Sequence, residues 1–409
     1  MAELTLDTDA AEAGFDAARL ARIDRHFDRY VEEDKLAGWL ALVARDGHVV
    51  HAGRGGLRDI DRGLPVEDDT VWRIYSMTKP ITSVAAMMLY EEGAFELGDP
   101  VANWIPSFAE ARVWSGGTQL KPVTVAVREP VRMWHLLTHT SGLTYGFHYA
   151  HPVDGIYRDH GFEFGFPPEL TLQECCDAWA GMPLLYEPGS EWNYSHSTDV
   201  LGRVVEVISG QTLEEFFAER ILGPLGMTDT SFGPADPDRL AEAYSRDPAT
   251  GRPVVNPRLG PAARMKPKAF SGGGGLVGTA ADYHRFASML LNGGELDGVR
   301  LLGTRTLRYM VSNHLPGRAD LEAFGRQLFA EVTFQGVGFG LGFAVNQDPV
   351  AQKVLSTAGE YNWGGLASTA FWVDPAERIT ALFFTQMIPS STYPIRSQFR
   401  QLVYQALVD

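Results

Sequence analysis

Trp72-Arg-Ile-Tyr-Ser76-Met-Thr-Lys79-Pro80-Ile-Thr-Ser-Val-Ala-Ala-Met-Met-Leu-Tyr90 is the stretch on which the reading of this chain turns. Ile81, Val84, Ala85, Met88 and Leu89 fall at i, i+3, i+4, i+7 and i+8, the spacing of a buried helix. Gly93 is placed to stop it. Proline is tolerated only in the first turn of a helix, where its missing N–H is not needed. Pro80 therefore sets the helix start close to Ser76. Residues three apart share a helix face, which lets the Lys79 ammonium reach the Ser76 hydroxyl. A helix N-terminus also offers free N–H groups and positive potential where negative charge develops during acyl transfer. Of the six lysines in the chain, only Lys79 has a serine three residues before it. The competing reading is a helix-capping serine beside a surface lysine.

Outward from this segment, the two ends of the chain share a character that the middle lacks. Asp16 is placed to cap a helix carrying Leu20, Ile23, Phe27, Tyr30 and Val31 on one stripe. Trp39–Arg45 and His48–Ala52 flank Asp46-Gly47, a hairpin signal. Towards the other end, Leu366–Val373 and Arg378–Thr385 flank Asp374-Pro375, which predicts a second hairpin. A last helix carries Ile395, Phe399, Leu402, Val403 and Ala406 on one face. Residues 81–309 read as mostly helical, with Pro/Gly-rich loops such as Phe166-Pro-Pro and Gly251-Arg-Pro. The expected fold class is α+β. An antiparallel sheet would come from residues 1–80 and 310–409 and be flanked by helices, with 81–309 as an inserted, mainly helical domain and the active site between them.

Composition narrows the function. The chain has 409 residues, 45% of them hydrophobic and 21% charged, the mix of a folded globular protein. Its formal net charge of −16, with no basic stripe, argues against a nucleic-acid partner. The first residues, Met1-Ala-Glu-Leu-Thr-Leu-Asp, lack the basic start and apolar middle of a signal peptide. The longest apolar runs, near 81–90 and 366–373, are too short to span a bilayer, so no membrane partner is expected. The two cysteines, Cys175 and Cys176, are adjacent and poorly placed for an ordinary disulfide, which fits a cytoplasmic setting. No pattern sets an oligomeric state.

Further along, a set of motifs recurs in a fixed order: Ser76-Met-Thr-Lys79, His135-Leu-Leu-Thr-His-Thr-Ser-Gly-Leu143, Pro188-Gly-Ser-Glu-Trp-Asn-Tyr194-Ser-His196, Ser271-Gly-Gly-Gly-Gly-Leu-Val-Gly-Thr-Ala-Ala-Asp282 and Trp363-Gly364-Gly365-Leu366. The set resembles class C β-lactamases and penicillin-binding proteins, and most closely their family VIII carboxylesterase relatives, over nearly the whole chain. The resemblance implies a β-lactamase/transpeptidase-like fold. It makes Ser76 the nucleophile, Lys79 its activating lysine and Tyr194 the general base. An ordinary phenol titrates at about 10, so such a base needs help at neutral pH, and a neighbouring ammonium favours the phenolate. The same resemblance assigns the oxyanion hole to the backbone N–H groups of Ser76 and Leu366.

The sequence departs from that family at two positions. No Lys-[Ser/Thr]-Gly occurs; Trp363-Gly-Gly is expected to open the strand beside the nucleophile instead. A tryptophan presents an apolar wall where a lysine would bind a substrate carboxylate, which favours neutral esters. Gly364 and Gly365 allow close backbone approach. His196 stands where β-lactamases have asparagine; contacts to Lys79, the lining of the acyl pocket and simple packing all remain open for it. The aromatic-rich stretch Tyr145, Phe147, Tyr149, Phe162, Phe164 and Phe166 is either a pocket wall or ordinary packing.

Other motifs carry less. No Gly-x-Ser-x-Gly elbow occurs. Ser141 after His139 reads as a structural loop rather than part of a triad. His135 and His139, four apart, lack the His-Glu-x-x-His pattern, so neither a metal nor another cofactor is expected. Gly272–Gly275 lacks the Gly-Lys-Ser/Thr of a phosphate loop and leads into a helix start at Thr279. The expected function is a serine carboxylesterase for a neutral, short-chain small-molecule ester. Alternatives are an acyltransferase or transesterase on the same site, a weak β-lactamase or D-amino-acid peptidase, and a non-catalytic relative.

Overall fold

In the structure, a computed structural model, residues 4–259, 264, 266–326 and 333–408 are described. An eight-stranded antiparallel sheet forms the centre. Its strands are β1 (Gly38–Arg45), β2 (His48–Asp59), β3 (Leu64–Pro65), β4 (Val337–Phe339), β5 (Ala344–Asn346), β6 (Tyr361–Gly364), β7 (Ala370–Asp374) and β8 (Ile379–Phe384). Their spatial order is β4-β5-β6-β7-β8-β1-β2-β3, so the two chain ends meet where β1 pairs with β8. Leu42 opposes Leu382 there, and Ala41 opposes Phe383.

Both faces of this sheet are covered, which explains its unbroken apolar runs. On one face Trp39, Ala41, Val43, Trp372, Ala381 and Phe383 pack under helix α1 (Arg22–Glu32) and the C-terminal helix α5 (Ile395–Tyr404). Leu40, Leu42, Phe371, Leu382 and Phe384 point the other way into the larger core. Alternate residues of one strand thus serve two cores, as the two-residue period of a strand requires. Phe27 binds the first layer together, its ring 4.4 Å from Phe383 and 6.2 Å from Phe399.

The larger core holds helices α2 (Thr78–Glu91), α3 (Ser197–Ser209) and α4 (Ala280–Leu291). Helix α4 falls within 81–309 yet packs on β7 and β8, with the Tyr283 and Phe371 rings 5.0 Å apart. The sheet therefore takes one of its covering helices from the inserted segment. Among the described residues that segment also contains three short strand pairs, Arg112–Thr118 with Lys121–Ala126, Tyr244–Arg246 with Pro253–Val255 and Glu295–Leu296 with Val299–Arg300.

Both hairpins form at the expected turns. Asp46 and Gly47 have φ of +54° and +85°, the pair of left-handed residues that a tight hairpin demands. Asp374 closes the other turn by accepting from the N–H groups of Ala376 and Glu377. One expectation is corrected: Trp363-Gly364 ends strand β6 rather than opening a strand, and β7 begins only at Ala370. Between them the chain reverses. The Gly365 N–H donates to Thr369 O at 2.9 Å, Ser368 sits at φ +65°, and its hydroxyl donates to Met387 O. A run of apolar letters from 366 to 373 hid that reversal.

Candidate active site

Ser76 sits in a 3₁₀ turn, Tyr75–Met77, that feeds directly into α2, with Pro80 in the first helical turn as expected. The turn is pinned from outside. Trp72 and Arg73 pair with Gly278 and Val277, the Ile74 N–H donates to Leu276 O, and the Tyr283 hydroxyl donates to Met77 O at 2.9 Å. Tyr75 adopts φ +42°, a left-handed conformation that costs a non-glycine residue energy and that these contacts hold in place.

Lys79 is only 2% exposed. Its ammonium donates to Ser76 Oγ at 3.2 Å and to Gly273 O at 2.6 Å, and it lies 4.5 Å from the centre of the Tyr194 ring. A buried ammonium needs such partners, so this lysine is not the surface residue of the competing reading. The glycine run, set aside as a phosphate loop, supplies one of them. A Cβ at Gly272 would meet Thr198 O at 2.9 Å, and one at Gly273 would meet Asp199 Oδ2 at 2.7 Å, so the backbone passes where no side chain fits.

Asp199, in the first turn of α3, organises this corner. Its carboxylate accepts from Gly273 N at 2.8 Å, Ser271 Oγ at 2.6 Å and His196 Nδ1 at 2.9 Å. Burial alone would raise the Asp199 carboxyl, but His196, Lys79 and Ser271 together hold it below the ordinary value. His196 is itself pushed down, chiefly by burial, so the pair is a neutral imidazole donating its Nδ1–H to a carboxylate. Sequence reading missed Asp199. An acid in the first turn of a helix has a sufficient local explanation, and only the approach of the glycine loop reveals its second task.

Tyr194 lies in a loop stapled to the His135–Leu143 motif. Asn193 donates its N–H to His139 O and its Nδ2 to Leu143 O, Ser141 and Ser197 share a hydrogen bond of 2.7 Å, and His139 Nδ1 contacts Ser195 Oγ at 3.3 Å. His139 is fully buried and held neutral by burial and by Lys79. It braces the Tyr194 loop and has no bond to Ser141, so the loop reading of this pair stands. The helix holding His135 ends at Leu137, leaving the two histidines off any shared helix face. Among the described residues no group of three or more metal-ligating side chains occurs.

Trp363 proves more than an apolar wall. Its indole N–H donates to the Tyr194 oxygen at 3.3 Å, so the phenol's own O–H is left to point elsewhere. Nor is the wall without a cation: Arg396 of α5 lines the same cavity, donating to Gly365 O and Thr369 O. A Cβ on Gly365 would meet Ile74 O at 2.5 Å, and one on Gly364 would strike the Arg396 guanidinium. Among the described residues, neither the Ser76 nor the Leu366 backbone N–H donates to a protein acceptor.

One cavity of about 490 Å³ brings together Ser76, Tyr145, Phe147, Tyr194, His196 and the Trp363–Leu366 strip. Phe164 and Phe166 complete its aromatic side, whereas Phe162 turns into the core against Trp179 and Tyr149 faces solvent. The aromatic stretch thus divides between wall and packing.

These features coincide with a known grouping. The β-lactamase family model matches residues 23–404, and the chain belongs to that family. It is 36% identical over 358 residues to protein Rv1367c of Mycobacterium tuberculosis, covering 87% of this chain and 86% of that one. It is 33% identical over 414 residues to esterase EstB of Burkholderia gladioli, covering 97% and 98%. Among solved structures, EstCE1, described as a hydrolase with promiscuous acyltransferase activity, superposes with a TM-score of 0.80 at 29% identity, covering 95% and 98%.

Proposed function

We propose that the protein is a serine carboxylesterase with Ser76 as nucleophile, Lys79 and Tyr194 as its activators, and the N–H groups of Ser76 and Leu366 as oxyanion hole. One observation carries this reading: a buried ammonium bridges Ser76 Oγ and Gly273 O while lying against the Tyr194 ring, at the wall of a cavity large enough for a small ester. The likeness to EstB and EstCE1 supports it.

In the first half-reaction Tyr194, entering the step as the phenolate beside the Lys79 ammonium, takes the Ser76 proton as Oγ bonds to the ester carbonyl carbon. The carbonyl oxygen gains the negative charge and receives the two free N–H groups, each worth about 3–4 kcal/mol of barrier in comparable sites. The carbon–alkoxy bond then breaks and the Tyr194 proton leaves with the alcohol. Water repeats the sequence on the acyl-enzyme and releases the acid. Lys79, hydrogen-bonded to Ser76 Oγ, steadies the charge as the proton moves. Catalysis falls between the sheet built from 1–80 and 310–409 and the inserted 81–309 segment, since both line the cavity.

Short-chain p-nitrophenyl esters test the assignment. Ser76→Ala is expected to lose at least ~10³-fold in kcat/KM; equal turnover by this variant would remove Ser76 from the mechanism. An acyltransferase reading has support of its own in the acyl transfer described for EstCE1, and faster acyl delivery to added alcohol than to water would establish it. Nitrocefin turnover to match the esters would instead establish a β-lactamase. The chain is read as a cytoplasmic protein, supported by two buried, unpaired, adjacent cysteines; among the described residues no helix is long and apolar enough to cross a membrane.

A further inference from the structure

Two histidines on the aromatic side of the cavity have hydrogen-bonding atoms that the protein leaves unused. His196 is 3% exposed, and its Nε2 is buried with no partner among the described residues. Both ring nitrogens of His148 are likewise buried and unpartnered. Both rings pack against Tyr145, with centroids 4.3 Å and 5.8 Å from it, and all three side chains line the cavity. A buried polar atom without a partner is costly to the folded protein, and three such atoms on two side chains that line one cavity point to a ligand that completes them.

The chemistry of that ligand follows from the protonation of the rings. Asp199 fixes the His196 proton on Nδ1, so Nε2 presents a lone pair. Burial pushes His148 down to about 4, so at neutral pH it offers one N–H and one lone pair. The recess therefore accepts twice and donates once. A hydroxyl, which both donates and accepts, matches it. A carboxylate would face two lone pairs, and a cation would sit beside the Lys79 ammonium, which lies 5.4 Å from the Tyr145 ring centre. The approach to the recess is flat and aromatic, with Phe147 stacked on Tyr145 at 4.7 Å and on Phe164 at 5.9 Å.

We propose that His148 and His196 form a specificity subsite for the hydroxyl of a hydroxyaryl group carried on one half of the ester. Resting on the esterase reading, the inference assigns that reaction a substrate class: the ring stacks on the aromatic wall, and its hydroxyl donates to His196 Nε2 and bonds His148.

Matched ester pairs test it. Ethyl 4-hydroxyphenylacetate against ethyl phenylacetate places the hydroxyl on the acyl half; 4-hydroxybenzyl butyrate against benzyl butyrate places it on the alcohol half. Binding of each to the Ser76→Ala protein is measured by calorimetry, and kcat/KM is measured on the wild type. Within one of the pairs the hydroxylated ester is expected to bind and react at least ~10-fold better, because a site built for a hydroxyl penalises its absence. His148→Phe, which keeps an aromatic ring, and His196→Asn are each expected to bring that ratio towards one. Ratios near one in both pairs with the unaltered histidines, or a preference that survives both substitutions, would overturn the subsite. If the wild type hydrolyses none of the esters, the esterase reading fails, while the calorimetry still decides the subsite.

Discussion

Asp199→Asn is the change that isolates how the corner behind Lys79 works. The carboxylate holds three donors, from Gly273 at 2.8 Å, Ser271 at 2.6 Å and His196 at 2.9 Å. Asparagine keeps the size and one acceptor oxygen, so Gly273 and Ser271 retain a neutral partner. Its NH₂ group, however, meets a His196 Nδ1 that currently donates. That ring must shift its proton to Nε2 or lose the bond. Hydrogen bonds to a charged group are worth roughly 1.5–3 kcal/mol and neutral ones about half that. Three bonds weakened in this way come to about 2–4 kcal/mol. Part of this appears as stability and part as a Gly273 carbonyl that no longer fixes the Lys79 ammonium. The expected kinetic result is a kcat lowered roughly 10- to 100-fold, about 1.4 kcal/mol per decade, with KM changed much less. Stopped assays with a p-nitrophenyl ester, run beside urea unfolding, separate the two parts. Ser271→Ala removes one donor and keeps the charge, so it should cost less on both counts. Should Asp199→Asn keep kcat within about twofold of wild type while losing stability, the carboxylate would be a packing element and its role in aligning Lys79 would be refuted.

Two further expectations follow from the same geometry. Gly365→Ala brings a methyl group to within 2.5 Å of Ile74 O, two residues before the nucleophile, so ester turnover should fall at least ~10-fold while the melting temperature drops by only a few degrees; unaltered kinetics would show that this strip does not shape the oxyanion site. His135, buried and pushed down to about 4, is neutral in the fold but protonates at about 6.5 once unfolded. The unfolded chain then binds more protons, so stability is full above the unfolded value and is lost as pH falls towards the folded one, about 2 kcal/mol between pH 7 and 5 from this group. Urea unfolding at the two pH values should show a shallower dependence in His135→Gln, and an identical slope would contradict the assignment.

Much of this architecture was legible in the amino-acid order because the relevant signals are local. Apolar spacing over Ile81–Leu89 with Pro80 in the first turn defines α2 and its start, and the same few residues put Ser76 beside Lys79. Asp46-Gly47 and Asp374-Pro375 mark hairpins because turn backbones demand those residue types. The reversal at Gly365–Thr369 was not legible, since an apolar run carries no sign of which hydrogen bonds it makes. The corner of Asp199, Gly273 and Lys79 joins positions separated by 74 to 194 residues, and spacing along the chain says nothing about such pairs. Nor could the sequence say that Trp363 would bond Tyr194, or that His148 and His196 would pack against one ring with nitrogens unused. Periodicity and turn chemistry fix which residues share an element; only packing decides which elements share a cavity, because burial and partner distance are properties of the folded whole.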